Sequence, residues 1–540
     1  MNMNPTLFKS CCKKSYFSTL SVLTFFVLVT SNALRAQNDS AAMKFSKSIV
    51  AEDLKKHLVV LASDEYEGRE TGEKGQKMAA AYIMKHFKDC NIPGLKNLKE
   101  GYYQEFPLQV YQPQELQITI NGKSFQPKKD FFSFSSILYD TTISINNLLF
   151  SGYGINTTGY TDYKTDLKKA KNERNLIILA NEPLDKNGNS LITGEKKLSE
   201  WSTGFRKKFT EAQQQNINIL FVVEDNIEEA YKKSEHKITT TKMKIADPQS
   251  KTLFSTPFTI FISREMASLL FGSDKKINNL EEQISKKGKS INKTLSAEIK
   301  LGIKQAVNRL SSENVLGYVE GTDLKDELIV VTAHYDHLGK HDGLVFNGAD
   351  DDGSGTVAVM EIAETFSKAK QEGFAPRRSV LFMTVSGEEK GLLGSEYYTE
   401  NPVFPLKNTV ANLNIDMIGR IDDNHKGDGN YIYLIGSDKL STDLHLLNEE
   451  ANKKFCNLKL DYTYNADNDP NRFYYRSDHY NFAKNKVPVI FYFNGVHEDY
   501  HRETDDVEKI DFNKMEKISR LVFFTAWELA NRTERIKLKE

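Results

Sequence analysis

Nearly continuous apolar runs in the C-terminal half of the chain limit its fold more than any other feature of the sequence. They cover residues 328–332, 380–385 and 487–493, and they alternate with helical patterns such as residues 357–366. A strand that is apolar at every position is buried on both faces, as in a parallel sheet with helices on each side. The sequence from Asn314 onward therefore predicts an α/β domain with a mixed, mostly parallel sheet covered by helices.

The remainder of the chain divides into two stretches with different patterns. Residues 51–61 and 78–87 carry apolar side chains at helical spacing, and a turn-rich stretch, residues 68–72, lies between them. From about residue 106 to residue 307, short alternating runs and strand-like blocks predict a β-rich segment. A chain of 540 residues exceeds what one hydrophobic core normally supports, so two or three domains are expected.

The N-terminus has the pattern of an export signal. Basic residues precede an apolar stretch, residues 17–29, and small residues follow at Ser31, Ala33 and Ala36. Residues 1–36 are therefore predicted to be a signal peptide, with export to the periplasm or the extracellular medium. An uncleaved anchor is the alternative; no other segment is apolar enough to span a bilayer, so no stable membrane span is expected after cleavage.

Charge and cysteine content exclude two classes of protein. The 72 basic and 73 acidic residues give a formal net charge of -1, without the basic surplus that is typical of nucleic-acid binding. Of the four cysteines, Cys11 and Cys12 would leave with the signal peptide, so only Cys90 and Cys456 remain. One pair permits a single disulfide or two free thiols and excludes a disulfide framework. The sequence leaves the oligomeric state open.

Histidines are concentrated in the predicted α/β domain. Eight of the eleven follow Asn314, and carboxylates lie beside several of them. The run 328–332 leads to His334, which places this imidazole at the carboxyl edge of the sheet, where α/β proteins bind ligands. Asp336 is close enough in sequence to orient it. A single histidine at a strand end is more often structural than functional, so His334 alone does not define a site.

Acidic residues follow the other predicted strands. Residues 350–352 are three consecutive aspartates between glycines, and they fit either a solvated helix N-cap or a loop around a cation. Glu388 and Glu389 come directly after the run 380–385. Asp416 ends another strand-like run among apolar neighbours, where an unpaired ion would be costly to bury.

Together with a histidine beyond the last apolar run, these positions form a set of two imidazoles and three carboxylates. The candidate ligands are His334, Asp351, Glu389, Asp416 and His501. Imidazole and carboxylate without thiolate favour zinc or a related metal, and five ligands suit two ions that share one carboxylate. Because the side chains of neighbouring glutamates diverge, one of the pair can bind metal while the other takes a proton from water.

The order and local sequence of these motifs resemble peptidase family M28, the zinc aminopeptidases, and in particular its forms with an inserted protease-associated domain. The matching motifs are His334-Tyr335-Asp336, residues 348–355, Glu388-Glu389, residues 414–417 and Tyr500-His501. The resemblance implies the zinc-exopeptidase, phosphorylase/hydrolase-like fold and a peptidase that takes N-terminal residues from peptides. It also implies residues 45–110 and 311–540 as the peptidase domain, with residues 111–310 as a protease-associated-like insertion.

The resemblance also implies a role for each matched residue around two zinc ions. It assigns His334 and Asp416 to one zinc, Glu389 and His501 to the other, Asp351 to both, Glu388 to the base that activates a bridging water, and Asp336 to a position behind His334. Tyr500 and Tyr474 are candidates for a phenol that stabilises the oxyanion, and a half-buried packing tyrosine is the alternative for each.

Other functions of the same fold are weighed against the aminopeptidase. A carboxypeptidase or a dipeptidase stays open, since pocket residues decide between a free amine and a free carboxylate. A glutaminyl cyclase works with one zinc, and the complete five-ligand set disfavours it. A non-catalytic binding module is disfavoured by the presence of Glu388.

Overall fold

The protein is described by a computed structural model that covers residues 37–163, 174–246, 254 and 256–539. The predicted signal peptide lies outside these residues. The helices are α1 (37–46), α2 (Ala51–Leu61), α3 (Lys74–Asp89), α4 (Glu200–Thr203), α5 (Arg206–Gln214), α6 (Ile227–Thr239), α7 (Arg264–Phe271), α8 (Asp274–Lys287), α9 (Gly355–Gln371), α10 (Leu393–Glu400), α11 (Thr442–Ala451), α12 (His479–Lys484) and α13 (Phe512–Asn531).

The strands follow the same order along the chain. They are β1 (Tyr103–Tyr111), β2 (Glu115–Ile120), β3 (Lys123–Ser124), β4 (Phe131–Phe132), β5 (Thr141–Ser151), β6 (Asn156–Thr157), β7 (Tyr160–Thr161), β8 (Asn175–Leu179), β9 (Ile219–Glu224), β10 (Lys242–Ile245), β11 (Phe258–Ser263), β12 (Asn292–Lys304), β13 (Val307–Val319), β14 (Leu324–His334), β15 (Gly339–His341), β16 (Leu344–Phe346), β17 (Arg378–Val385), β18 (Thr409–Ile415), β19 (Tyr431–Ile435), β20 (Lys459–Asp461) and β21 (Val489–Phe493).

The chain folds into two compact units. Unit 1 combines residues up to 107 with residues 311–540, and unit 2 consists of residues 108–310. The boundaries fall within β1 and β13, which are long strands that continue from one unit into the other. Unit 1 is therefore discontinuous in sequence. The identification of the intervening residues as a protease-associated-like domain stays a prediction.

The sheet of unit 1 is mixed and mostly parallel. From β13 onward, its strands lie in the order β13-β17-β14-β18-β21-β19-β20. The four strands from β17 to β21 are parallel to one another, whereas β13 and β19 run antiparallel to their neighbours in this group. Every residue of β17, β18 and β21 is buried, and for β17 and β21 this agrees with the continuous apolar runs. The predicted α/β fold class is confirmed.

Helices cover both faces of this sheet. On one face α2, α9 and α13 contribute to the main core, in which the Phe366 ring lies 5.3 Å from that of Phe523 and 5.5 Å from that of Trp527. On the other face α10 and α12 contribute Tyr398 and Phe482 to a second core. Because both faces are covered, the carboxyl edge of the sheet is the place where side chains from several strands can meet a ligand.

Unit 2 has its own sheet and its own core. Its strands lie in the order β3-β2-β12-β5-β8-β9-β11-β4, and β5, β8, β9 and β11 are parallel. The core contains Phe150, Ile177, Phe221 and Ile260. The segment is β-rich, as the sequence predicts, but it also contains the five helices α4 to α8. In α8 the residues Ile277, Leu280 and Ile284 form one buried stripe.

The two cysteines among the described residues are free thiols. Cys90 follows α3 and Cys456 lies beyond α11, and the alternative of a disulfide between them is not adopted. Burial raises the pKa of both thiols, to about 12 for Cys456, so both stay protonated at neutral pH. Within the described ranges, no helix has the length and apolarity to cross a bilayer.

Candidate metal centre

The predicted site residues lie where strands of the unit 1 sheet end. His334 is the last residue of β14, and Glu388 and Glu389 follow β17 after a turn at residues 386–387. Asp416 directly follows β18, and His501 lies in the loop beyond β21. These strands are parallel neighbours, so their carboxyl ends place the five side chains at one edge of the sheet.

The three consecutive aspartates lie in an irregular helical segment, Ala349–Ser354, directly before α9. Asp352 accepts hydrogen bonds from the backbone N–H groups of His334 at 3.2 Å, Gly355 at 2.8 Å and Met417 at 3.1 Å. Asp350 accepts one from the backbone N–H of Gly419. These two carboxylates therefore hold the loop against β14 and β18. The N–H groups that donate to them stabilise their negative charges and offset the repulsion among three adjacent aspartates.

Asp351 is the aspartate that faces the histidines. Its Oδ1 lies 3.2 Å from Nε2 of His334, and its Oδ2 lies 3.2 Å from Nε2 of His501. His334 Nε2 is also 3.7 Å from Oδ1 of Asp416, and His501 Nε2 is 3.2 Å from Oε2 of Glu389. Ligand atoms around a tetrahedral zinc are about 3.3 Å apart, so each group of three has the spacing of a metal site. The two groups share Asp351.

The centre contains more negative charge than the protein neutralises. Within the described residues, neither Lys nor Arg lies within ion-pair distance of Asp351, Glu389 or Asp416. Burial lowers the pKa of His501, but contacts with the Asp351 and Glu389 carboxylates outweigh burial and raise it to about 10. Carboxylates that draw positive charge onto imidazoles, without thiolate, are a donor set that fits zinc.

Glu388 and Glu389 diverge, as the sequence predicts for neighbouring side chains. Glu389 lies beside His501, whereas Oε2 of Glu388 is 3.9 Å from Nε2 of His334. Burial raises the pKa of Glu388 well above its usual value; the His334 imidazole lowers it, and the charges of Glu389 and Asp416 raise it further. A carboxylate with a raised pKa can take and return a proton near neutral pH.

Asp336 lies behind His334, and its backbone carbonyl is closer to the imidazole than its carboxylate is. His334 Nδ1 is 3.1 Å from the backbone carbonyl of Asp336 and 3.9 Å from its Oδ1. The carboxylate instead accepts hydrogen bonds from the Thr71 hydroxyl at 2.7 Å and the Glu388 backbone N–H at 3.3 Å. The carbonyl therefore orients the imidazole, and the carboxylate positions the backbone of Glu388. The backbone turn after β14 determines which atoms of Asp336 contact His334 and Glu388. The spacing of these residues in the sequence does not reveal those contacts.

Arg69 is a site residue that the sequence did not single out, although it lies in the turn-rich stretch 68–72. Its side chain is buried, with 1% of the residue exposed. The guanidinium donates to four backbone carbonyls: Nε to Tyr335 at 2.7 Å, Nη1 to Leu61 at 2.8 Å and Asn347 at 2.6 Å, and Nη2 to Gly348 at 2.9 Å. It therefore joins the segment after His334 to the loop before Asp351.

We expect Arg69→Ala to lower the free energy of unfolding by about 3–5 kcal/mol, because four buried carbonyls lose a charged donor. Urea unfolding followed by tryptophan fluorescence measures this change. Arg377→Ala is the control, since Arg377 is half-buried, its partner Asp323 is largely exposed, and ion pairs at the surface contribute about 0–1 kcal/mol. Equal losses for the two variants would contradict the assigned role of Arg69.

His337 is a second residue that the sequence did not select, although it ends the run His334-Tyr335-Asp336-His337. Its side chain is fully buried beside the centre. Nδ1 lies 2.9 Å from Oε1 of Glu389 and 4.0 Å from Oδ2 of Asp351. In the sequence, this residue stands out only by its position three residues after His334, a candidate ligand at a strand end. That position by itself is weak evidence for a role in the site.

The two candidate tyrosines have different positions. Tyr500 stacks on His501 with ring centroids 3.9 Å apart, and its hydroxyl is 3.2 Å from Nη2 of Arg476. It lines a cleft over the metal centre together with His334, Asp351 and Glu388. Tyr474 packs against His479 and lines a separate depression with Lys439. The structure thus brings Tyr500 to the five candidate ligands and Glu388, and it does not bring Tyr474 there.

Comparison with known proteins agrees with this arrangement. Residues 314–526 match the model of peptidase family M28. A "probable leucine aminopeptidase" of Trichophyton verrucosum is 31% identical over 212 residues, which are 38% of this chain and 55% of that protein. A "probable glutamate carboxypeptidase" of Arabidopsis thaliana is 37% identical over 105 residues, 19% of this chain and 14% of that protein. The chain thus aligns with at most 55% of the length of these curated relatives.

A solved structure has a similar fold. The aminopeptidase from Aneurinibacillus sp. strain AM-1 aligns with 92% of this chain and 98% of its own, with a TM-score of 0.50 and 19% identity. The family match includes every candidate ligand and Glu388, and these residues lie together at the carboxyl edge of a mixed α/β sheet. On both grounds, the part of the chain that contains the candidate metal centre, residues 314–526, matches peptidase family M28.

Proposed function

We propose that the protein is a di-zinc exopeptidase that removes N-terminal residues from peptides. The observation that supports two ions is the position of Asp351, whose oxygens face His334 on one side and His501 on the other. His334 and Asp416 would hold one ion with Asp351, and Glu389 and His501 would hold the other. Zinc bound in this way supplies Lewis acidity, which polarises the scissile carbonyl and makes water a better nucleophile.

Glu388 is the proposed base. It lies on the His334 side of the centre, where its Oε2 is 3.9 Å from Nε2 of His334. The contact of His501 is with Glu389 instead. Its raised pKa allows it to accept a proton from the attacking water and to return it to the departing amine. The hydrogen bond from its backbone to Asp336 fixes the start of the side chain.

Tyr500 is the proposed donor to the oxyanion. Burial raises its pKa, so the phenol keeps its proton at neutral pH. We expect Tyr500→Phe to reduce kcat by about 10²-fold with a smaller change in KM, since an oxyanion donor acts mainly in the transition state. Tyr474→Phe should leave both constants near wild type, because Tyr474 lies outside the cleft. Steady-state kinetics decide, and the opposite ranking of the two variants would contradict the assignment.

A carboxypeptidase or dipeptidase is the second candidate. Arg476 lines the same cleft, and a guanidinium recognises a carboxylate with two parallel hydrogen bonds. One of the relatives above is also named as a carboxypeptidase. Apolar residues line the remainder of the cleft, namely Met417, Phe473, Phe491, Phe493 and Val496. They fit an apolar terminal side chain in either case.

Metal analysis combined with a substrate panel tests the proposal. We expect two zinc ions per chain, cleavage of peptides with a free N-terminus, and no cleavage after N-acetylation. Removal of zinc with a chelator should abolish turnover, and added zinc should restore it. Cleavage of N-blocked peptides from the C-terminus would instead establish the carboxypeptidase. Pyroglutamate formation with one zinc would indicate a cyclase, and bound zinc without turnover a binding module.

Export and the role of unit 2 belong to the proposal as well. The signal pattern of residues 1–36 supports delivery to the periplasm or the extracellular medium. Unit 2 is proposed to be the protease-associated-like insertion, on the basis of its position within the peptidase unit. Cell fractionation with N-terminal sequencing of the mature protein checks the first point, and a cytoplasmic protein that retains residues 1–36 would contradict it.

A further inference from the structure

We propose that His337 is a further ligand of the zinc held by Glu389 and His501, and that this zinc is therefore saturated by protein ligands. The inference rests on the proposed di-zinc function and refines it. The ion beside His334 would have three protein ligands, and the ion beside His501 would have four. The substrate would then bind at the ion beside His334.

The position of Nδ1 in His337 is the first observation. It lies 2.9 Å from Oε1 of Glu389, yet the two atoms do not align as a hydrogen bond, and neither has a hydrogen-bond partner within the described residues. Buried polar atoms without partners are uncommon in folded proteins. Two Lewis-basic atoms that converge at this distance without hydrogen-bond alignment have the arrangement of ligands around a common cation.

The spacing of the other ligands is the second observation. His337, Asp351 and Glu389 each offer a ligand atom, and these atoms lie within 4.8 Å of one another. His501 Nε2 is 3.2 Å from both carboxylates, and its ring centroid is 6.0 Å from that of His337. Two imidazoles on one tetrahedral zinc have centroids about 5–6 Å apart, so both rings can reach the same ion.

The backbone around His337 holds the ring in this place. Its N–H donates to the Arg69 carbonyl at 3.2 Å, which fixes the start of the side chain. Gly348 leaves room for the ring, since a Cβ at that position would lie 2.4 Å from the ring carbon Cγ of His337. The ring is therefore positioned before metal binds, as a ligand on a rigid element should be.

The proposal implies an asymmetric centre. Structural zinc sites have four protein ligands, whereas catalytic sites have three and keep a position for water or substrate. The three-ligand ion beside His334 is also the one near Glu388, whose Oε2 lies 3.9 Å from Nε2 of His334. The open coordination position and the base would thus lie on the same side of Asp351.

Zinc titration of the full-length protein against a chromophoric chelator tests the role of His337. Wild-type protein is expected to bind two zinc ions, and His337→Ala is expected to bind the second ion more than about 100-fold more weakly, a loss beyond the range typical of residues behind the ligands. Free imidazole should restore the second ion to this variant by filling the vacated volume. His341→Ala is the control, because His341 lies on the exposed hairpin of β15 and β16.

His337→Asn distinguishes a role of His337 as a zinc ligand from a role as a hydrogen-bond donor. Its amide places an N–H near the position of Nδ1 but binds zinc poorly, so this variant should also lose the second ion. Tight binding of two ions by His337→Asn would overturn the proposal and leave His337 as a donor to Glu389. Thermal melting of the zinc-free variants checks that each is folded, and wild-type-like zinc binding by folded His337→Ala would equally overturn the inference.

The same experiments distinguish the inference from the proposed function. Wild-type protein that binds two zinc ions but cleaves no peptide would contradict the exopeptidase alone. Cobalt-substituted protein gives a readout independent of turnover, because loss of an imidazole changes the intensity of the visible absorption bands. An unchanged cobalt spectrum in His337→Ala would contradict the inference alone.

Discussion

Glu388→Gln is expected to bind two zinc ions as wild type does and to lose activity by about 10²–10⁴-fold in kcat. The amide has nearly the shape of the carboxylate but cannot take a proton from water. Zinc binding should persist because Glu388 lies beside the ligands without completing either group of three. Metal analysis of the purified variant and steady-state kinetics measure the two parts of this expectation.

The pH dependence of this variant provides a further test. Burial raises the pKa of Glu388, and a base acts in its deprotonated form, so wild-type kcat/KM should rise with pH as this group loses its proton. Glu388→Gln should lack that acidic limb. Glu498→Gln is the control, since Glu498 lies in the loop that carries His501 but is largely exposed. Near-wild-type turnover by Glu388→Gln would disprove the role of Glu388 as base.

Asp351→Ala is expected to lose both zinc ions. This carboxylate is the side chain that contacts both His334 and His501, so its removal takes one ligand from each group at once. Bound zinc stabilises the folded state by about 4 kcal/mol at a concentration 1,000-fold above Kd. The variant should therefore lose activity and also the rise in Tm that added zinc gives to the wild type.

Elemental analysis after gel filtration and thermal melting with and without zinc measure these effects. Asp423→Ala is the matched control, because Asp423 is exposed and pairs with Lys426 at the surface. Retention of two ions by Asp351→Ala would show that the two groups do not depend on a shared carboxylate. Loss of one ion alone would mean that the remaining ligands of the other ion, Glu389, His501 and the proposed ligand His337, hold it without the shared carboxylate.

The sequence predicted the fold because a strand that is buried on both faces appears in the sequence as a continuous apolar run. In β17 and β21 every residue is buried, and each of these two strands overlaps an apolar run. The ends of the runs then predicted where side chains would meet. His334, Glu388 and Asp416 lie together because parallel strands end at the same edge.

The details of the centre depend on backbone geometry that no local pattern encodes. The irregular turn at residues 349–354 sets the direction of each of the three aspartates. Backbone N–H groups donate to Asp350 and Asp352, whereas the side chain of Asp351 points toward the histidines. The contact of His334 with a carbonyl of Asp336 arises from the same kind of local geometry. Short motifs identify the candidate residues, but not which atom of each points inward.

Long-range contacts were the other part that sequence reasoning missed. Arg69 reaches carbonyls more than 260 positions away, and the turn-rich stretch in which it lies gives no sign of those partners. His337 could be seen in the sequence as the third residue after β14, but its approach to Glu389 depends on the pairing of β14 with β17. Residues that act through tertiary contacts become visible only when the sheet is assembled.

The Arg69 contacts also bear on the order in which the protein can fold. During synthesis, residues 37–107 are made first, but the carbonyls that Arg69 binds at residues 335, 347 and 348 are made only after the whole of unit 2. Contacts of such sequence separation form late and slow folding. The last candidate ligand, His501, follows still later in the chain. A nascent or truncated chain would thus contain a complete unit 2 sequence while its metal centre had not yet formed.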